Sequence, residues 1–197
     1  KYFFSYGKND TQYQRWSIGL SNGHNLVEFN NASVHSEKIV NDGLWHHIAA
    51  SYDGTNMNIY VDGAKESLSG DINVTFDTKS SGKVLIGDNP DTSVPAGSYR
   101  FKGSIDEVSV FNKALSADEI LELYKSGGGL NLTSNSEDYV SSSNLQAYWK
   151  FNEGTGTTVA DASGNSNTGI ISGATWSQGG EIKTNEETEK SIVLSAS

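Results

Sequence analysis

Asp161, Ser163, Asn165 and Asn167 put an oxygen-bearing side chain at every second position, with Gly164 and Gly169 allowing the backbone to curl. A hard cation of calcium size takes six to eight oxygen donors, so Asp161, Asn165, Asn167 and the Gly164 carbonyl form a candidate ligand set. The same composition also makes an Asx-turn loop whose side chains bond only their own backbone, and the residues alone leave both readings open. Asp106 is a second candidate. In an unbulged strand it shares a face with Val108 and Val110, and a carboxylate on an apolar face needs a partner because an unpaired buried charge is strongly unfavourable. If Ile105 and Phe111 mark the buried parity instead, Asp106 faces water. A third group, Asp88, Asn89, Asp91 and Tyr99, offers the hydrogen-bonding groups and aromatic ring that sugar binding uses. An ordinary polar loop between strands has the same make-up.

Other chemistries find little support. His46 and His47 are adjacent, so on a strand they face opposite ways and cannot share one metal. No second His/Cys pair lies near them, and packing or hydrogen bonding is their expected role. The chain has no Glu-x-Asp-x-x-Glu arrangement, and the neighbours Asp106 and Glu107 cannot flank one glycosidic bond. There is no Gly-x-Ser-x-Gly elbow and no cysteine, so neither a nucleophile site nor a disulfide framework is expected. Fourteen Lys and Arg against twenty-four Asp and Glu give a net charge of -10, which argues against a nucleic-acid partner. No apolar run approaches the roughly 20 residues of a membrane span, and no charged-then-apolar segment opens the chain. The Gly, Ser, Thr and Asn richness reads as a secreted or surface module.

The elements that would position these residues are short strands. Tyr2–Tyr6, Trp16–Leu20, Leu26–Phe29, Leu44–Tyr52, Met57–Val61, Ile72–Phe76, Val84–Gly87 and Ser104–Phe111 are aromatic or β-branched runs separated by turn residues. Asp53-Gly54 and Asp62-Gly63 between such runs predict hairpins. One helix interrupts them. Ser116 and Glu119 form a capping box, Ile120, Leu121 and Tyr124 supply an apolar face, and Gly127-Gly128-Gly129 ends it. Residues 130–143 read as a linker or extended loop, after which strand character returns at Leu145–Phe151, at Gly169–Ser172 and faintly at Ser191–Ser195.

Three stretches together carry a family resemblance. They are Gly43-Leu44-Trp45-His46-His47-Ile48-Ala49-Ala50-Ser51-Tyr52-Asp53-Gly54 with Ile59-Tyr60-Val61-Asp62-Gly63, then Phe101-Lys102-Gly103-Ser104-Ile105-Asp106-Glu107-Val108, and finally Tyr148-Trp149-Lys150-Phe151-Asn152-Glu153-Gly154 with Asp161-Ala162-Ser163-Gly164-Asn165. The chain resembles the bacterial laminin-G-like modules of the concanavalin A-like lectin/glucanase superfamily. The resemblance implies an all-β fold, a two-sheet antiparallel jelly-roll sandwich with one short helix. It also implies structural calcium near Asp106 and the 161–169 loop, and it places Trp45, Trp149 and Trp176 in the core. The order differs from the family's, because the segments that normally open such a module close this chain.

The expected organisation is therefore a main sandwich part over 1–126, a Ser/Asn/Gly-rich linker or loop over 127–143, and a 144–197 segment that completes the sandwich or opens a following module. The 145–177 part is expected to fold back onto the strands before it, because Trp149, Phe151 and Trp176 are too apolar to leave in water. The expected function is a non-catalytic, calcium-stabilised adhesion or carbohydrate-binding module of a larger secreted or surface protein. Its partners would be a glycan, a cell-surface protein or neighbouring copies of the same protein, with no nucleic acid and no membrane insertion. The alternative is a structural spacer of a surface layer, filament or virion, and a third reading is an accessory domain of a polysaccharide-degrading enzyme.

Overall fold

Asn22-Gly23 and Asp62-Gly63 each place two successive residues at positive φ, 52° and 87° in the first pair and 53° and 76° in the second. That is the type I′ geometry whose twist matches the flanking strands of a tight hairpin. The computed structural model describes residues 1–7, 16–29, 32–70, 82–88, 95, 98–127, 129–177 and 192–196. The expected strand Ile72–Phe76, with Asn89 and Asp91, falls outside them. The chain divides into two units, one of residues 1–44, 56–59 and 66–103 and the other of 45–55, 60–65 and 104–197.

The first unit holds β1 (Tyr2–Gly7), β2 (Trp16–Ser21), β3 (His24–Phe29), β4 (Ala32–Ile39), β8 (Leu68–Ser69) and β9 (Lys83–Ile86), in the order β8-β4-β3-β2-β1-β9. Every pairing is antiparallel. Phe4, Ile18, Val27, Phe29 and Val34 are buried, and Trp16 is half-buried with its ring 5.1 Å from that of Phe4 and 6.4 Å from that of Phe29. β4 was not legible as a strand, because Val34 and Ile39 are its only large apolar residues. Its buried Ser36 instead accepts a hydrogen bond from the Asn25 backbone N–H at 3.2 Å.

The second sheet contains β5 (Ile48–Tyr52), β6 (Met57–Val61), β7 (Ala64–Lys65), β10 (Val108–Phe111), β11 (Leu145–Trp149) and β14 (Ile192–Ala196), ordered β11-β10-β14-β5-β6-β7. A separate hairpin joins β12 (Thr158–Val159) to β13 (Gly169–Ile170). Helix α1 (Ala117–Lys125) starts at the predicted capping box, with Ser116 as cap and Glu119 reaching back to it. The helix packs close to the Asp62-Gly63 turn. A Cβ on Gly63 would sit 2.8 Å from the Tyr124 ring and 2.9 Å from Leu121, so only glycine fits there. Ala49, Tyr60, Phe111, Leu115, Ile120, Leu123, Tyr139, Leu145 and Tyr148 form the core of this unit. Leu132 joins them, so the 127–143 segment contributes both Leu132 and Tyr139 to the packing.

The tail, which had no visible partner in the sequence, is β14. It runs parallel to β10 on one side and to β5 on the other. Of the expected Leu145–Phe151 strand, Leu145–Trp149 pairs antiparallel with β10, with Val108 opposite Trp149 and Ser109 opposite Tyr148. Two expected strands are shorter than read. β5 begins only at Ile48, and β10 only at Val108, where Glu107 at φ 51° breaks the extended run. Trp45, expected in the core, lies ahead of β5 and is 45% exposed. Trp149 is buried, and Trp176 is half-buried with its indole N–H donating to the Gly156 carbonyl at 2.9 Å.

Candidate functional site

The 161–167 loop runs along the outer edge of β11, where Asp161 forms an antiparallel bridge with Trp149. Beyond that bridge the segment turns, with Gly164 at φ 87° and Ser166 at φ 63°, and the turn brings the Ser163, Asn165 and Asn167 side chains back to that edge. One Asp161 carboxylate oxygen accepts from the backbone N–H groups of Tyr148 and Ser163, both at 2.9 Å. The other accepts from the Asn167 backbone and side-chain N–H groups, also at 2.9 Å. The Gln146 carbonyl accepts from Ser163 Oγ at 3.2 Å, Asn165 Nδ2 at 3.0 Å and Asn167 Nδ2 at 2.9 Å. The Trp149 indole N–H donates to the Asn167 carbonyl at 2.7 Å, and Gly164 takes φ 87° to make the bend.

Asp161, Asn165 and Asn167 are thus brought together beside the Gln146 carbonyl, while Gly164 contributes the bend. Asp161, the Ser163 hydroxyl and the Gln146 carbonyl converge with two amide side chains, and rotating those amides exchanges N–H for oxygen at the same positions. Among the described residues no group of three or more His, Cys, Asp or Glu side chains gathers as a metal site. Any ion here would therefore rest on one carboxylate and neutral oxygens. Asp106 sits elsewhere. It precedes β10 on one flank of β11, whereas Asp161 bridges β11 on the other, so the two aspartates have a strand between them.

The parity reading of Asp106 fails for a definite reason. Alternation needs a continuous strand, and the left-handed Glu107 turns the backbone between Asp106 and Val108. The Asp106 carboxylate accepts from the Glu107 N–H at 3.0 Å, and Asp106 is half-buried. The buried acid is Glu107 itself, 5% exposed and accepting from the buried Tyr148 hydroxyl. Burial, the hydrogen bond to Glu107 and the charges of Glu107 and Asp106 hold the Tyr148 phenol well above its usual range. No sequence signal singled out Glu107, since its burial follows from one backbone angle.

A second buried acid anchors the helix. Glu119 accepts from the Ser116 backbone N–H at 2.9 Å, from the Val140 N–H at 3.3 Å, from the Ser141 hydroxyl, and from Lys113 Nζ at 3.5 Å. Burial alone would raise its pKa, but the bonds from Ser141 and Ser116, the Lys113 charge and the Val140 bond outweigh it and leave it lowered. Asp161 is likewise lowered, its burial outweighed by bonds from Ser163, Asn167 and Tyr148. A depressed carboxylate stabilises the fold above its unfolded value and loses that contribution as pH falls through its folded value. The melting temperature is therefore expected to hold above about pH 4.5 and to fall below it. Glu119→Gln and Asp161→Asn should each flatten the fall in a thermal melt followed across pH, and an unchanged slope in both would contradict this account.

The histidines clasp a turn. His46 Nδ1 lies 3.0 Å from one Asp62 carboxylate oxygen, and the His47 backbone N–H donates to the other at 3.1 Å, which holds residues 45–47 off the ladder. The His47 ring is buried 5.9 Å from the Tyr124 ring. In the first unit, the Asp88 carboxylate accepts from Arg100 Nε at 3.0 Å, and the half-buried Tyr99 ring meets Tyr2 edge-on at 5.4 Å.

A family model described as the concanavalin A-like lectin/glucanases superfamily, of laminin-G type, matches residues 1–121. The chain belongs to this superfamily. Domains of this laminin-G-like kind are usually non-catalytic. One solved structure, an S-layer domain-containing protein from Clostridium thermocellum, is 23% identical, with a TM-score of 0.36 over 63% of this laminin-G-like chain. The chain spans 62% of that one. Among the described residues, no helix of this superfamily member is long and apolar enough to cross a membrane.

Proposed function

We propose that the chain is a non-catalytic, calcium-stabilised module of a secreted or surface protein that binds a glycan or a cell-surface protein. The observation that carries the reading is the convergence of Ser163, Asn165 and Asn167 on the Gln146 carbonyl, with the Asp161 carboxylate alongside accepting from Asn167. That cluster holds oxygen donors on a rigid strand edge, which is what a structural cation needs and a proton-transfer site does not. The acids Glu107, Glu119 and Asp161 each accept hydrogen bonds fixed by the fold, which supports a scaffold over acid–base chemistry. Glycan contact is assigned to the Asp88 and Tyr99 neighbourhood, where a carboxylate and a half-buried ring accompany Arg100.

Calcium that binds the folded chain and not the unfolded one stabilises by mass action, about 2.7 kcal/mol at a hundredfold excess over Kd. The melting temperature is expected to rise with added calcium and drop with chelator. A melt indifferent to excess chelator, with no metal in the purified protein, would remove the calcium part. A glycan array read with wild type and Asp88→Ala tests the rest. Signal on wild type that weakens in the variant supports the site. A second reading, a spacer with no ligand of its own, draws on the same hydrogen bonds, because the loop donors are also satisfied within the chain. It gains if the array shows nothing above background.

A further inference from the structure

We propose that β14 is an exchangeable strand, and that the slot it fills between β10 and β5 accepts the same strand from a second copy of this chain. Within the second sheet, β11 is bonded to β10, β5 to β6 and β6 to β7, without any help from β14. Among the described residues, the ladder between these two ribbons runs through β14, which pairs with β10 from Val108–Ile192 to Phe111–Ser195 and with β5 from Ile48–Ile192 to Tyr52–Ala196. The acceptor is therefore built by strands that already have partners, and it presents an open ladder on both sides. An added strand held by main-chain hydrogen bonds is recognised through its backbone, which does not distinguish its own chain from a copy. Ile192-Val193-Leu194-Ser195-Ala196 carries no charge and no proline, so it suits an interior strand. It follows a polar stretch, 178–191, with four glutamates, two lysines and one large apolar residue, Ile182. Fourteen residues reach at most about 50 Å when extended, enough to serve a slot on the same chain or on a neighbour. Exchange of an identical element is a low-cost route to association.

The absence of cysteine makes the test clean. Ser51 and Ser195 are register partners across β5 and β14. The double variant Ser51→Cys/Ser195→Cys, refolded dilute with oxidised glutathione, is expected to close a disulfide within one chain. Equimolar Ser51→Cys and Ser195→Cys single variants, refolded together at rising concentration, are expected to give a disulfide-linked dimer whose share grows with concentration. A mixture of Ser51→Cys with Ser177→Cys sets the background. No linked dimer above that background overturns exchange, and no closure in the double variant overturns the strand placement with it. If the cysteine variants do not fold, wild type refolded at high concentration should show a dimer by size-exclusion chromatography. Val193→Pro, which removes a β14 ladder donor, should show none. Equal dimer in both, or none in either, overturns the proposal.

Discussion

Asp161→Ala is expected to lower the unfolding free energy by about 3 kcal/mol, a large share of what a domain of this size has to lose. Alanine removes the acceptors of the Tyr148, Ser163 and Asn167 backbone N–H groups, and one of the two acceptors of the Asn167 side-chain amide. Each polar group left buried without a partner costs roughly 1–3 kcal/mol, and the half-burial of Asp161 keeps the sum toward the lower end. Asp161→Asn keeps one acceptor oxygen and should cost about half as much. Urea denaturation of the three proteins reads the difference directly. The two variants should also separate in their calcium response, because alanine deletes the only carboxylate of the loop. A loss under about 1 kcal/mol for alanine would mean that the loop is held by its asparagines instead.

Glu119→Ala should cost a similar amount, about 3–4 kcal/mol, for a different reason. Here one buried carboxylate ties three places in the chain: the start of α1, the Val140 N–H with the Ser141 hydroxyl, and Lys113. Without it, Ser116 loses half of its capping box, and Lys113, which also donates to Ser141 Oγ at 2.7 Å, loses its counter-charge. Ser116→Ala removes only the other half of the box and should cost about 1 kcal/mol. Equal losses for the two variants would show that Glu119 acts through the helix cap alone.

The capping box was legible from Ser116 and Glu119 because both halves of that motif are local. The fold family was legible from motifs that are also local runs. The period-two oxygens of the 161–167 loop pointed to a site, but not to its partner, since the Gln146 carbonyl that gathers them is about twenty residues away. The face of Asp106 was not legible because parity holds only along an unbulged strand, and glutamate gives no warning of the left-handed backbone at Glu107. β4 was missed because the buried Ser36 is satisfied by Asn25 across the ladder, a pairing invisible to hydropathy. The place of the tail was hidden for a simpler reason: its partners lie on two strands that neither touch it in sequence nor resemble it.

That separation has a temporal cost. β14 starts at Ile192, opposite Ile48 of β5, so the second sheet depends on a contact between residues 144 positions apart. Ribosomes add roughly 5–20 residues per second, and the stretch from residue 52 to residue 192 therefore takes about 7–30 s to emerge. Throughout that interval one side of β5 has been made while its final neighbour has not. Contacts this distant form slowly even after release, because the loop between them must close first. The nascent chain thus carries a sticky, half-finished ladder for seconds. Growth temperature, synthesis rate and chaperone supply should govern the yield of folded protein more than the stability of the finished sheet does.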